Sequence, residues 1–511
     1  MEDKFLDVIK KEQNVSYTEN NAEAYATTYS DILNAFAVIG ANYYLDEKYI
    51  KTTFAKACDE NIELAVRYLF YLRDIRGGQG MRKAFRICAL YLAENYPEYI
   101  LNNINNIPFF GRWDDLIYIW DKTTNVNIQS ACLHLIRETL LDDFIAANIN
   151  KEVSLLGKWM PSANTSSNET RALANRMIKA LGASPKTYRQ VLSRLRKAIN
   201  IVENNLCRKT YDKIDYSEVP SKASNIYSDA FYRHDKDRYE QYLTDVAIGK
   251  AKINSGALFP FDIVKSIYGK YNNPIKDKVA DLQWKALPNY FEERNETGIC
   301  VVDTSGSMQG DPILVALSLG LYCADKCKGP YKNHFITFSA FPELQEIRGT
   351  DLSTKLDSME RAGWGMNTNL EKVFMLILDI AIKNHLKQDE IPNKLYIISD
   401  MQFDQSASDP NCKFMDSIKK LYKEANYEMP SIVYWNVGSY TTGIFHQTIN
   451  NTDFCMISGY SPSLFKSVID GTEYKEVKDE NGNIEVKQKI DPIKIMLTAI
   501  MDERYDRVWV G

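Results

Sequence analysis

Histidine is scarce in this chain. Five occur in 511 residues, at His134, His234, His334, His385 and His446, with no H-x-x-x-H pair among them. Nor is there a G-x-S-x-G elbow, so zinc-protease and hydrolase sites built on those motifs are excluded. The nine cysteines are dispersed and form no C-x-x-C pair. Cys323 and Cys327 share a predicted helix face, but no nearby histidine completes a zinc site. An odd, scattered set without a secretory signal predicts a reduced, cytoplasmic protein. Long apolar runs are missing too. The longest, Ile313 to Ala324, is too short to span a bilayer and reads as a buried helix, so no membrane association is expected. The chain also lacks a Walker loop, an arginine–glycine repeat, a zinc knuckle and an RNA-recognition-motif signature.

Net charge is −5, and it is unevenly spread. Residues 1–298 hold 40 Lys+Arg against 38 Asp+Glu, whereas residues 299–511 hold 22 against 29. Residues 151–200 alone carry ten basic and two acidic side chains. Such a block attracts phosphate backbones without reading their sequence. Arg171, Arg176, Lys179, Lys186, Arg189, Arg194, Arg196 and Lys197 fall on two neighbouring predicted helices, and Arg208 and Lys209 extend the run. The competing reading of the same charges is a solvated helix face. Tyr188, Tyr211, Tyr216 and Tyr227 lie close by in sequence. Tyrosines there either stack on bases or, more commonly, pack into the core.

Residues 1–290 read as helical nearly throughout, with apolar residues at helical spacing and light punctuation. The clearest helix begins at Ser184 as cap, with Pro185 in the first turn. Its apolar stripe is Tyr188, Val191, Leu192, Leu195, Ala198, Ile199 and Val202. A long run of amphipathic helices without strands predicts an α-solenoid, a HEAT-like array or an irregular bundle. Asp74-Ile-Arg-Gly-Gly-Gln-Gly80 follows no strand and predicts a tight helix–helix turn rather than a nucleotide cradle.

From Gly298 the texture changes. Short β-rich runs at Ile299–Val302, His334–Phe338, Lys394–Ser399, Ile432–Val437 and Phe454–Ile457 alternate with helical stretches. That alternation predicts a doubly wound, mostly parallel sheet. A hairpin turning at Asn481-Gly482 and a last helix from Asp491-Pro492 follow. The first strand ends in Asp303-Thr-Ser305-Gly-Ser307, with Asp311 expected to cap the next helix. Two more oxygens come from Thr368, before a helix, and Asp400, after a strand. In a doubly wound sheet these loops emerge at one edge, where ligands bind. Carboxylates and hydroxyls on that edge suit Mg²⁺, a hard cation that takes oxygen ligands and keeps several waters.

The set Asp303, Ser305, Ser307, Thr368 and Asp400 resembles the metal-ion-dependent adhesion site of von Willebrand factor A (vWA) domains. That resemblance implies bound Mg²⁺ or Mn²⁺ with an open position for an acidic side chain of a protein partner. In the first half, Arg73-Asp-Ile-Arg-Gly-Gly-Gln-Gly80, Phe110-Gly-Arg-Trp-Asp-Asp-Leu116, Lys158-Trp-Met-Pro161 and Tyr188-Arg-Gln-Val-Leu-Ser-Arg-Leu195 resemble the domain of unknown function 2828 family. Its members join a helical region to a C-terminal vWA domain. More distantly, the architecture is similar to the Ro autoantigen (TROVE) family. There, a ring of helical repeats closed by a vWA domain binds small and misfolded RNAs.

The expected organisation is α plus α/β. A TROVE-like helical array, ring-forming by that resemblance, occupies residues 1–295; a vWA domain occupies residues 296–511. The expected function is non-enzymatic. The basic helices hold a single-stranded or structured RNA, small and non-coding or misfolded, and the metal site takes a further ligand. Two alternatives remain open. One is a metal-dependent protein–protein scaffold with no RNA role. The other is a Mg²⁺-dependent phosphoesterase, for which no general base is evident.

Overall fold

The computed structural model describes residues 14–41, 46–199, 201–269, 273–292, 297–339, 341–362, 369–403, 414–438, 443–478 and 484–511. Their contacts divide the chain into two compact units that interleave in sequence. An α/β unit takes Met1–Ala65 and Ser255–Asp502; a helical unit takes Val66–Asn254 and Glu503–Gly511. A single boundary at 295/296 therefore does not separate them.

Six strands form the central sheet of the α/β unit: β1 (Gly298–Asp303), β2 (His334–Phe338), β3 (Leu344–Glu346), β4 (Lys394–Ser399), β5 (Ser431–Asn436) and β6 (Phe454–Ser458). Their spatial order is 3-2-1-4-5-6. All neighbours are parallel except β3, which runs antiparallel on the edge beside β2. Strands β1, β4, β5 and β6 are buried along their whole length. This is why they read as unbroken apolar runs: parallel strands are covered on both faces. The order is that of a doubly wound sheet. The chain leaves β1 toward one side and resumes on the other at β4. The carboxyl ends of β1 and β4 thus flank the topological switch point, the crevice where such sheets bind ligands.

Helix Asp311–Lys326 lies on β1 and β4. An aromatic cluster fills the core nearby, with Phe465 5.0 Å from Tyr396 and 4.6 Å from Trp435, measured between ring centroids. Asp311 does not cap its helix as expected. The cap position falls to Gly310 at φ 98°, a conformation that glycine adopts without a Cβ clash. The Asp311 carboxylate instead pairs with Lys265 at 2.6 Å.

Three other features differ from the expected pattern. Strand β3 has only three residues, and helix Leu352–Glu360 follows it. The first 290 residues are not strand-free: Val15–Tyr17 and Glu23–Tyr25 form a small antiparallel hairpin. And the N-terminal residues complete the α/β core. Helix Asp31–Val38 packs on β6, where Ser458 Oγ donates to Phe36 O at 2.7 Å and accepts from Gly40 N at 3.0 Å. The C-terminal hairpin pairs Thr472–Lys478 with Ile484–Ile490, and helix Pro492–Ile500 follows. Its expected turn at Asn481-Gly482 lies outside the described residues.

The helical unit is held by a buried ion network. Asp115 has no solvent exposure and accepts from Arg73 Nη2 at 2.7 Å, Arg86 Nε at 2.7 Å and Arg112 N at 3.0 Å. Arg112 also binds Asp114, and its guanidinium lies 3.9 Å from the centroid of the Trp159 ring. In the turn after helix Ile62–Arg73, Asp74 accepts from the backbone N–H groups of Arg76 and Gly77, both at 3.0 Å, and from Arg504 Nη2 at 3.0 Å. Asn103 and Asn106 bind the Trp509 and Arg507 backbone. The last nine residues therefore belong to this unit because their partners do.

Candidate functional site

Two sites emerge, one within each unit. At the sheet's switch point, the structure brings Asp303, Ser305, Ser307 and Asp400 together. Asp303 is the last residue of β1 and is fully buried; Asp400 directly follows β4 and is 1% exposed. One Asp303 oxygen accepts from Ser305 N at 2.8 Å, and the second from Ser399 Oγ at 2.6 Å. The Ser305 and Ser307 hydroxyls stand 3.1 Å apart. Asp400 Oδ1 accepts from Gln402 N at 3.2 Å, whereas Oδ2 is buried with no hydrogen-bond partner among the described residues. Thr368 lies outside the described residues.

Electrostatics follow from that burial. Desolvation first, then the charge of Asp303, push the Asp400 carboxyl up to about 7, while Ser307 and the Gln402 N–H pull it back. Two buried carboxylates on one edge stay ionised together only with a cation between them; without one, the pair keeps a proton. The orphaned Oδ2, the neighbouring hydroxyls and the second carboxylate fit a divalent hard cation. Ser399 and Gly438 escaped the sequence reading. Ser399 orients Asp303, and the Ser-Asp pair closing β4 was its signal. Gly438 follows β5, and a Cβ there would stand 2.9 Å from Pro312 Cγ and 3.8 Å from Asp400 Cβ. Only hydrogen fits against that wall of the site.

The second site is a cleft of about 620 Å³ in the helical unit. Its lining includes Arg189, Arg196 and Lys197 on helix Pro185–Ala198, Arg208 at the end of helix Val202–Arg208, and Asn164 and Asn204. Among the described residues, no carboxylate lines it. Ser184 caps the long helix as expected, accepting from Thr187 N at 3.0 Å, and the Tyr188, Leu192 and Leu195 stripe is buried. Arg196 is committed: it donates to Gly157 O at 2.9 Å, Met160 O at 2.8 Å and Ser162 Oγ at 2.9 Å. Burial lowers its guanidinium pKa below the usual value. Those bonds lay the polar loop after Pro161 along the cleft.

The other predicted cations disperse. Arg176 pairs with Asp121 at 2.6 Å, Arg171 with Asn168, and Arg194 with the carbonyl of Ala147. Lys179, Lys186 and Lys209 are exposed outside the cleft. Tyr188 and Tyr216 are core residues, and the Tyr188 hydroxyl donates to Pro161 O at 2.8 Å. Asn164 and Asn204 were not singled out from sequence. Nothing in a polar loop or a short helix marks them before the chain is folded.

Fold and sites define an α plus α/β protein with an oxygen-lined sheet edge and a cation-lined helical cleft. The chain belongs to the family of domain of unknown function DUF2828, whose model matches residues 18–127 and 137–295. Residues 297–500 match a second model, domain of unknown function DUF7788. The chain is 31% identical over 499 residues to uncharacterized protein L728 of Acanthamoeba polyphaga mimivirus, covering 90% of this chain and 86% of that protein. Among solved structures, the crystal structure of the Deinococcus radiodurans Ro (RSR) protein is a distant match. Its TM-score is 0.37 at 11% identity, over 81% of this chain and 93% of that one.

Proposed function

We propose that this protein is a non-enzymatic RNA-binding protein. The cleft beside helix Pro185–Ala198 holds the backbone of a single strand, and the sheet edge holds Mg²⁺ or Mn²⁺ for an acidic ligand. One observation carries the RNA reading: four cationic side chains converge on a cleft of about 620 Å³ with no carboxylate in its lining among the described residues. Phosphates entering it would meet Arg189, Lys197 and Arg208, none of them ion-paired among the described residues. A volume of that order suits a nucleotide or two of a strand rather than a duplex. Contacts of this kind fix the backbone and leave base identity unread.

The metal reading rests on a different observation, the unpartnered buried oxygen of Asp400. Asp303, Ser305, Ser307 and Asp400 would hold the ion, joined by Thr368 on the vWA resemblance. The ion would supply an electrophilic position for a carboxylate of a partner. A phosphoester-cleaving site would also need a free general base. Asp303 is already committed to Ser399 and Ser305 N.

Purification from cells with and without nuclease tests the RNA reading. Co-purifying RNA that leaves as salt is raised supports it. A nucleic-acid-free protein that also fails to bind added single-stranded RNA at 50 mM salt refutes it.

A further inference from the structure

Helix Val202–Arg208 borders two different spaces within the helical unit. Asn204 and Arg208, four residues apart and so on one face, line the cationic cleft. Val202, Glu203 and Asn205 line a second cavity, of about 240 Å³. Ile199, Ile201, Val202, Ile214 and Val219 make its walls aliphatic. Among the described residues no aromatic ring lines it, so it offers a base nothing to stack on and a quaternary ammonium no cage. Its volume falls below the ~300 Å³ at which drug-sized sites begin, and suits one short chain.

One acid belongs to this aliphatic lining. Glu203 Oε1 accepts a long bond of 3.5 Å from the Tyr227 hydroxyl, and Oε2 is buried with no hydrogen-bond partner among the described residues. A carboxylate oxygen taken from water without a donor is a cost that a ligand's N–H would offset. The other charged groups at the cavity are Lys158, Asp215 and Glu218. Lys158 Nζ stands 5.8 Å from the centroid of the Trp159 ring and makes no ion pair among the described residues, so it does not answer Glu203. Asp215 and Glu218 are exposed. Three carboxylates against one ammonium disfavour phosphate and attract a cation. The negative sign continues next door. A cleft of about 550 Å³ shares Ile214 and Asp215 with the cavity and adds Asp212 and Asp245. Of its two cations, Lys213 and Arg238, the second is spent on Tyr211 O at 3.0 Å, Ile214 O at 2.7 Å and Asp235 Oδ2 at 2.8 Å.

We propose that the Glu203 cavity binds a primary alkylammonium group. The methylenes lie against the aliphatic walls, the ammonium donates to Glu203 Oε2, and further positive charge on the same molecule reaches the neighbouring acidic cleft. A lysine side chain of a basic protein segment and a free polyamine share that chemistry. The site depends on neither the RNA reading nor the metal reading.

Saturation-transfer difference NMR on the full chain tests this at neutral pH. Wild type binds n-pentylamine about tenfold more tightly than its neutral counterpart n-pentanol, the scale of one charge contact. Glu203→Gln brings the amine down to the alcohol's level, whereas Glu138→Gln, outside the cavity, changes nothing. Glu203→Leu also loses the amine and melts above wild type, because the orphaned oxygen is gone. Competition against bound pentylamine separates the sources: a lysine peptide, Ac-Gly-Lys-Gly-NH₂, displaces it more readily if the ligand is a protein side chain, and spermidine if it is a polyamine. Equal binding of amine and alcohol, amine binding kept in Glu203→Gln, displacement by neither competitor, or a Glu203→Leu that melts below wild type overturns the proposal.

Discussion

Each unit buries a carboxylate, and the two are treated in opposite ways. Asp115 in the helical unit is fully buried and answered by two guanidinium groups and a backbone N–H. Asp400 in the α/β unit is 1% exposed and keeps an oxygen with no partner among the described residues, beside a second buried acid. A paired buried charge is architecture: removing one member strands the others. An unpaired one is a cost that folding tolerates only where something else binds. The same contrast separates the cations. Arg73 and Arg86 are spent inside the network, whereas Arg189, Lys197 and Arg208 face an open cleft.

The largest effect belongs to the answered carboxylate. Asp115→Ala leaves Arg73 buried without its partner and destabilises the helical unit by about 3–5 kcal/mol. Urea unfolding measures it, and Mg²⁺ does not restore the loss. A cost under about 1 kcal/mol would break the comparison on its structural side.

Asp400 is expected to do the reverse. Its folded carboxyl, raised to about 7, binds a proton that the unfolded chain has already released. The stability this contributes to the metal-free protein is complete below the ordinary carboxylate range and is lost as pH rises through 7. Asp400→Asn therefore stabilises the metal-free protein at pH 8, on the order of 4 kcal/mol at most. It also abolishes the Mg²⁺ response, which in wild type reaches about 2.7 kcal/mol at a hundredfold excess over Kd. Thermal unfolding at pH 5 and pH 8, with and without Mg²⁺, reads both signs. A metal-free protein more stable at pH 8 than in the Asp400→Asn variant would contradict them.

Part of this contrast was legible in sequence. Strands His334–Phe338 and Lys394–Ser399 were bounded to the residue, because doubly covered parallel strands are continuous apolar runs ending at polar loops. Asp303 and Asp400 followed from strand ends and sheet topology. The edge strand Leu344–Glu346 was too short to show alternation. The hydrogen bond from Glu19 N to the Gln402 side chain, 2.8 Å across 383 residues of sequence, has no local pattern that could have announced it. The basic run was visible as composition, but its sorting was not. Arg194 and Arg196 are two residues apart on one helix. One binds a neighbouring helix end, and the other seats the loop at the cleft. Which carbonyl each reaches depends on tertiary packing alone. The interleaved units were hidden for the same reason: an amphipathic helix does not name its partner.

A smaller effect sharpens the cation side. Reversing Arg189 and Lys197 to Glu weakens single-stranded RNA about tenfold or more near 0.1 M salt, while Lys179→Glu, outside the cleft, changes it little. Filter binding compares the three. The smallest effect is in the salt slope, expected to fall by about 0.7 for each phosphate contact removed, so about 1.4 for the pair.

The central claim is that the two sites act separately, the cleft on RNA and the sheet edge on a metal ion. Fluorescence anisotropy of one labelled single-stranded RNA tests it most directly, with wild type, Arg189→Glu/Lys197→Glu and Asp303→Ala titrated side by side in Mg²⁺ and in EDTA. The account predicts that the cleft variant loses binding in both conditions and that Asp303→Ala binds as wild type in both. RNA binding that survives the cleft reversal, or that disappears with Asp303→Ala or EDTA, would contradict it.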